Sequence, residues 1–406
     1  KVETTTRTGD TFYSLVGQTL TFTTAPIDNA LITITAETTD SLVLDGTKIQ
    51  WYADRVKKWE RGEKIAPVTI DMALTRSCNY GCHFCYAMTQ ENDRSVITKE
   101  HMFSFLDDCA EIGVKGVSLV SDGESTIHPA FVDSIVHGGK LGLSMATATN
   151  GFLLNEEKLE KILPHLTYIR FNISGGEPKR YAEIMGCKEK WFYKVVKNIE
   201  TAVKIKKKNS LKVTIGMQMV FMPQYHDQIM PLAKLGKKLQ PDYLVIKQCS
   251  DDESSSLGVE YEKYRDHYEL LKQAEKLSDE NYKVRVKWSK IISEGVRTYQ
   301  RCYGPPFLLQ MSGSGLVAPC AQLFNEKFKK FHIGNITQKR WKDIWESDRY
   351  WEVMSYLSSS NFNAQKMCGN LCLVHKVNEY LDGYRKGIVN LEEPKSETKP
   401  DHIAFV

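Results

Sequence analysis

The sequence has no apolar run long enough to cross a bilayer, and nothing at its start reads as a secretory leader. A cytoplasmic protein is therefore expected. It also has little excess charge of either sign: 54 Lys and Arg stand against 50 Asp and Glu, a formal +4 on 406 residues. The densest basic run, KIKKKNSLK at 204–212, carries no aromatic residues between its lysines on which bases could stack. It reads as a solvated helix end and argues against nucleic acid as a partner. No internal repeat is visible beyond an alternation of strand-like and helix-like segments. What is present in ordinary amount is apolar residue: 42% hydrophobic against 26% charged supports a folded core rather than disorder. What is present in excess is cysteine. Ten thiols in a large chain of this kind argue against a disulfide framework and for metal or redox chemistry.

The chain changes rhythm along its length. Residues 11–51 alternate β-branched or aromatic residues with polar ones (TFYSLV, TLTFTT, ALITITAE, SLVLDG, KIQW), with turn residues between them, which predicts a small antiparallel module. A polar helical segment, YADRVKKWERGEK, leads away from it. From residue 67, six apolar runs (68–75, 116–121, 144–149, 168–174, 212–220 and 243–249) are separated by amphipathic segments. In the first of these Thr98 can cap, Met102, Phe105, Leu106, Cys109 and Ile112 form one stripe, and Gly113 stops the helix. Such alternation predicts a parallel α/β sheet, open or curled into a partial barrel, with ligands at the carboxyl ends of its strands. FLLQMSGSGLVAPC (307–320) reads as a hairpin turning on Ser-Gly-Ser-Gly, and the tail from 391 as a surface segment. The expected division is 1–66 a β-rich module with linker helix, 67–255 the barrel, 256–299 a helical connection, 300–380 a cysteine-bearing extension, and 381–406 a tail.

Seven cysteines fall in two groups. Cys78, Cys82 and Cys85 crowd into eight residues at the end of the first predicted barrel strand. Three thiolates on one short loop can wrap three corners of a four-iron cube and leave the fourth iron for a small molecule. Structural zinc sites use paired knuckles and four ligands, which this spacing does not offer. The Cys-x3-Cys-x-aromatic-Cys pattern resembles the radical S-adenosylmethionine superfamily. The resemblance implies a partial (β/α)6 TIM-like barrel and a [4Fe–4S] cluster on the three thiolates. It also implies S-adenosylmethionine chelated at the open iron and cleaved to a 5′-deoxyadenosyl radical that abstracts hydrogen from substrate. A reducing partner such as flavodoxin or ferredoxin follows. Three further stretches agree in order. VSDGESTIHP (120–129) resembles the family's glycine–glutamate motif, placing Gly123 and Glu124 on the cofactor ammonium, although Ser121, Asp122 and Ser125 stand where relatives carry glycine or proline. ATNG (148–151) aims Asn150 at the cofactor, and RFNISGG (170–176) offers Ser174. Phe84 and Tyr86 flank the cofactor in the same comparison.

The second group, Cys302, Cys320, Cys368 and Cys372, suits tetrahedral zinc or a cluster equally by count. Resemblance favours iron: the segment looks like the twitch extension of radical enzymes, with Gly315 and Cys320 in a Gly-x4-Cys pattern, since the larger SPASM extension normally carries seven cysteines. Four cysteines imply one fully ligated auxiliary [4Fe–4S] cluster, suited to relaying an electron. Cys109 and Cys187 are expected to be packing residues. Cys249 ends the sixth strand at the barrel mouth, where a thiol could give hydrogen to a substrate radical. Lys247, Gln248 and Asp251 share that rim and could bind a polar small-molecule substrate, a sugar or aminocyclitol in the first instance. Modification of a ribosomal peptide and a non-catalytic cluster- or zinc-binding protein are the alternatives. Glu124 argues against the last, because a scaffold needs no acceptor for a cofactor ammonium.

Overall fold

The computed structural model describes residues 2–3, 13–16, 19–22, 33–34, 42–44, 46–393 and 399–406, in two compact units. In the first unit, residues 1–43 with 398–401, β1 (Val2–Glu3) pairs antiparallel with β4 (Thr33–Ile34), and β2 (Tyr13–Val16) with β3 (Thr19–Phe22). The antiparallel module is thus present in outline. Most of the predicted ALITITAE strand lies outside the described residues.

In the second unit, residues 44–397 with 402–406, six predicted strands form a continuous parallel run. They are β5 (Thr69–Met72), β6 (Gly116–Leu119), β7 (Ser144–Thr149), β8 (Leu166–Asn172), β9 (Thr214–Phe221) and β10 (Tyr243–Gln248). Their alternation sorts the side chains. Ile70, Met72, Val117, Leu119, Ile169, Phe171, Met217, Met219, Leu244 and Ile246 join the large core packed under the helices. The intervening residues, among them Asp71, Ser118, Arg170, Asn172, Gln218 and Lys247, face the opposite, inner side. The helix Lys99–Ile112 has the predicted Thr98 cap, closed into a capping box by His101, and ends on Gly113 at φ 90°.

Three features depart from expectation. The sheet continues beyond six strands. β11 (Lys283–Val286) extends it parallel to β10, inside a stretch expected to be helical connection. β12 (Leu308–Met311) lies parallel to β5 and leads through Ser312–Gly315 into β13 (Leu316–Ala318) and β14 (Gly334–Asn335), so the predicted hairpin is built into the main sheet. Secondly, KIQW is not a strand: Gly46–Tyr52 is a 3-10 helix running into Ala53–Glu60. Ile49, Ala53 and Val56 recur at helical spacing and are buried with Tyr303, Phe307, Val377 and Leu381, a partner surface that overrides local β-propensity. Thirdly, the end of the tail is not a surface segment. Ala404 and Phe405 pack on Ala146 and Tyr168. Thr69 Oγ1 donates to the Ala404 carbonyl at 2.8 Å and accepts from Val406 N at 3.1 Å, while Lys48 Nζ donates to the His402 carbonyl at 3.1 Å. A Cβ on Gly116 would lie 2.6 Å from the Ala404 carbonyl oxygen, so only glycine admits the tail there. Since Thr69 and Gly116 begin their strands, residues 402–406 close the amino-terminal end of the barrel.

Burial, with Lys48 and Arg170 nearby, lowers the His402 imidazole from 6.5 to about 3. The ring is neutral in the folded chain, whereas the unfolded chain protonates it near 6.5. Its contribution is therefore complete above that value and lost as pH falls toward 3. Urea unfolding should show a loss of about 2 kcal/mol between pH 7 and pH 5. His402→Gln should lack that increment; an unchanged pH dependence in the variant would refute the assignment.

Candidate metal centres

The loops that leave β5, β6, β7, β8 and β10 meet at the carboxyl end of the barrel. Thr75 and Arg76, leading into the cysteine loop, are held between two glycines. A Cβ on Gly123 would sit 1.9 Å from the Thr75 carbonyl oxygen, and one on Gly313 would sit 2.1 Å from the Thr75 carbonyl carbon. Asp122 explains the departure from the glycine–glutamate pattern. Its carboxylate accepts from Ser312 Oγ at 2.5 Å, Gly313 N at 2.7 Å and Asn92 Nδ2 at 3.3 Å, and stands 3.4 Å from Arg76 Nε. It fastens the turn of the β12–β13 hairpin to the cysteine-loop entrance. Sequence reasoning missed this role, because its partner lies 190 residues away.

The cysteine loop is fixed from its other side by backbone bonds, Gly81 N to Gly186 O at 3.2 Å and His83 N to Ile184 O at 3.1 Å. Gly186 is left-handed at φ 58°, and a Cβ there would meet the Gly81 carbonyl oxygen at 2.1 Å. Tyr80 anchors the loop in an aromatic cluster, with its hydroxyl 2.9 Å from that of Tyr181 and its ring 5.3 Å from Trp191. The three thiols are electrostatic neighbours. Burial pushes Cys78 up to about 11, with Glu124 and Cys85 adding to it. Cys82 goes well above its ordinary value through burial and the nearby Cys85 and Cys78. Left as thiols they resist ionisation, and a cationic centre that takes them as thiolates removes the conflict. Cys187, expected to be a packing residue, lies beside Cys82 and Tyr80.

Glu124 and Asn150 come together as the motifs implied. Glu124 is buried, its Oε1 accepting from Thr126 N, Thr126 Oγ1 and Thr149 Oγ1 at 3.2, 2.6 and 2.7 Å, and its Oε2 from Asn150 N at 2.7 Å. Asn150 Nδ2 donates to Asn79 Oδ1 at 2.8 Å, next to Cys78. Ser174 is buried at the end of β8, and its Oγ accepts from Val220 N at 3.1 Å.

Cys302, Cys320, Cys368 and Cys372 line one small cavity of about 20 Å³. Among the described residues no three His, Cys, Asp or Glu side chains meet around a single ion; the four sulfurs surround a space instead. Burial pushes Cys368 up to about 12, and raises Cys302 and Cys320 further with help from the neighbouring thiols. Donors collect around the rim. Asn378 Nδ2 reaches Cys302 Sγ at 3.4 Å, Lys290 Nζ donates to the Cys372 carbonyl at 2.7 Å, and Arg297 donates to the carbonyls of Gly369 and Asn370. Four thiols around one cavity fit a fully ligated cluster.

The family model of the radical SAM superfamily matches residues 72–235, and that of SPASM, an iron–sulfur cluster-binding domain, matches residues 302–372. The chain carries a radical SAM domain followed by a SPASM domain. The tungsten-containing aldehyde ferredoxin oxidoreductase cofactor-modifying protein of Pyrococcus furiosus is 21% identical, over 69% of this chain and 81% of that one. The AdoMet-dependent heme synthase of Methanosarcina barkeri is 24% identical, over 70% and 83%. Among solved structures, Streptococcus suis SuiB bound to S-adenosylmethionine superposes with a TM-score of 0.58 at 16% identity, over 75% of this chain and 71% of that one. That likeness shows the shared fold. The radical SAM domain binds S-adenosylmethionine and a [4Fe–4S] cluster, and the SPASM domain binds auxiliary iron–sulfur clusters.

The remaining residues of this radical SAM chain divide in two. Phe84 and Cys249 meet: Cys249 Sγ lies 3.8 Å from the Phe84 carbonyl oxygen, and burial pushes the thiol up to about 12, keeping its S–H. Lys247 faces the inner side of the barrel, and Gln248 is buried with neither amide atom partnered. Tyr86 packs on Leu316, Ala318, Ala321 and Phe324 of the SPASM region, with Cys320 and Cys85 among its electrostatic neighbours. Asp251 is corrected. Its carboxylate accepts from the backbone N–H groups of Asp252, Leu257 and Val259 at 2.8, 3.0 and 3.3 Å, so it organises its own loop and is not a free acceptor at the rim.

Two outcomes follow. Cys320→Ser should lower the iron content of anaerobically reconstituted protein by about four atoms per chain while leaving the first site loaded; unchanged iron would remove the second site. Asp122→Ala should lower unfolding stability by about 3 kcal/mol through its stranded buried donors, read by urea titration; a loss below about 0.5 kcal/mol would deny the fastening role.

Proposed function

We propose that this chain performs radical chemistry on a small polar substrate held in the mouth of the barrel. The observation that carries it is the three-thiol loop packed beside buried Glu124 and Asn150, with a second four-thiol cavity in the same compact unit. When bound, the cluster and S-adenosylmethionine supply one-electron cleavage of a sulfonium and a carbon radical able to take hydrogen from an unactivated C–H bond. Cys78, Cys82 and Cys85 hold three corners of that cluster. Glu124 and the Gly123 backbone would hold the cofactor's ammonium, and Asn150, Ser174, Phe84 and Tyr86 would bound the rest of its site. Cys302, Cys320, Cys368 and Cys372 hold one auxiliary cluster. Full ligation there suits it to accept an electron, which makes oxidation of the substrate the first reading, with a flavodoxin- or ferredoxin-like protein as reductant.

The inner face supports a polar substrate. Asp71, Ser118, Arg170, Asn172, Gln218 and Lys247 line it, whereas Gln248, in register with core residue Phe221, lies on the opposite face of the sheet. A sugar or aminocyclitol is the first class to test. A second reading, modification of a peptide, draws on SuiB bound to its precursor peptide SuiA, which superposes over 92% of this chain with a TM-score of 0.57. Cys249, buried and protonated beside the cysteine loop, would permit a third outcome, return of hydrogen to an inverted carbon.

Under anaerobic reduction the protein should form 5′-deoxyadenosine. Alanine at Cys78, Cys82 or Cys85 should abolish it, whereas Cys187→Ala should retain it, since three thiols suffice. Activity surviving the first three changes rejects the mechanism, and loss in Cys187→Ala shows that a fourth thiol closes the cluster. Product analysis with aminosugars, nucleotide sugars and peptides then identifies the substrate class.

A further inference from the structure

The inner face of the barrel holds charges that nothing among the described residues neutralises by contact. Arg170 alternates with Ile169 and Phe171 on β8, and Lys247 with Ile246 on β10; since those apolar neighbours belong to the helix-side core, both cations face inward. Arg170 Nε is buried without a hydrogen-bond partner. Among the described residues neither Arg170 nor Lys247 makes a side-chain hydrogen bond or an ion pair. The carboxyl that acts electrostatically on both is Asp71, paired with Ser118 on the neighbouring strand. Burial raises Asp71 to about 7, so it offsets the cations only in part, and lowers Lys247 to about 7, with Arg170 and Lys290 adding to the effect. Lys290 itself is engaged by the Cys372 carbonyl and is not available.

Two inward cations without partners cost several kcal/mol unless something compensates them, and charges left in this state inside a cleft mark functional sites. Their position is suited to a ligand. Lys247 stands two residues before Cys249, whose sulfur reaches the Phe84 carbonyl of the cysteine loop. Arg170 lies deeper, near enough to Tyr168 and Tyr243 to act electrostatically on both. Below them the barrel is closed by His402, Ala404 and Phe405. The space is closed at the end away from the cysteine loop.

We propose that Arg170 and Lys247 form an anion subsite inside the barrel that grips a carboxylate or phosphate of the substrate, with Ser118 and Asp71 on its wall. This rests on the reading of the barrel as the substrate chamber and narrows that substrate to one bearing an acidic group. The subsite holds the anionic end deep and leaves the rest of the molecule toward the cysteine loop, so that one C–H bond is presented where the radical arises.

The test needs no turnover, so its result is independent of the cysteine-variant experiment: failure here leaves the radical chemistry standing, and failure there leaves this subsite standing. Thermal unfolding of the reconstituted full chain is followed with inorganic phosphate, with succinate, and with chloride at equal ionic strength. Phosphate or succinate should raise the midpoint by about 2–3 °C over chloride, and which of the two does so assigns the acid. Arg170→Met and Lys247→Met should each lose the shift, and Arg170→Lys should keep part of it. Crystals soaked in the effective anion should show it between the two side chains. No shift in the unmodified protein with either anion, or equal shifts in both methionine variants, would overturn the proposal.

Discussion

The backbone of Thr75 and Arg76 passes through a gap with no room for a side chain on either side. Gly123 closes one wall and Gly313 the other, and Asp122 bonds the second wall to the first. Everything chemical in the molecule hangs from that crossing. The cysteine loop begins two residues later, Glu124 is the next residue after Gly123, and Gly313 belongs to the turn that carries the chain on to Cys320. A displacement of Asp122 would therefore disturb the first thiol group, the glutamate and the second thiol group together. This is why the auxiliary hairpin is built into the main sheet beside β5 rather than docked as a separate layer.

The two thiol groups share an electrostatic logic. Each gathers sulfurs in a desolvated setting that disfavours thiolates. At the second site Asn378, Lys290 and Arg297 supply donors around the four cysteines; at the first, Tyr80 N donates to Cys78 Sγ and Glu124 adds negative charge. A cluster with an available corner beside a carboxylate suits a cofactor bearing an ammonium, whereas a cluster enclosed by four thiols and neutralising donors suits electron transfer. Tyr86, packed on the hairpin, has thiols of both groups, Cys320 and Cys85, among its electrostatic neighbours.

Legibility in the sequence followed distance along the chain. The cysteine loop, the helix capped by Thr98, the six core strands and the Ser-Gly-Ser-Gly hairpin are written in contiguous residues, and all were readable. The placement of Glu124 and Asn150 at neighbouring strand ends was readable through motif order. What was not readable depends on partners far away. KVRV becomes a strand only because β10 has an open edge; Gly46–Tyr52 becomes helical because Tyr303, Phe307 and Val377 cover it; and His402–Val406 is buried because Gly116 leaves space. Asp251 misled for the opposite reason: a carboxylate at a strand end suggests a ligand, but three backbone N–H groups within eight residues consume it. Arg170 escaped notice because an arginine inside a short strand carries no local sign of facing a chamber.

The central claim is that the three-thiol cluster keeps one iron for the cofactor. Its most direct test is hyperfine spectroscopy of the reduced Cys320→Ser protein, whose remaining cluster is the first one, with S-adenosylmethionine labelled with nitrogen-15 at its amino group. A resolved coupling between the labelled nitrogen and the cluster is the expected result. A spectrum with no such coupling, indifferent to addition of the cofactor, would contradict the account.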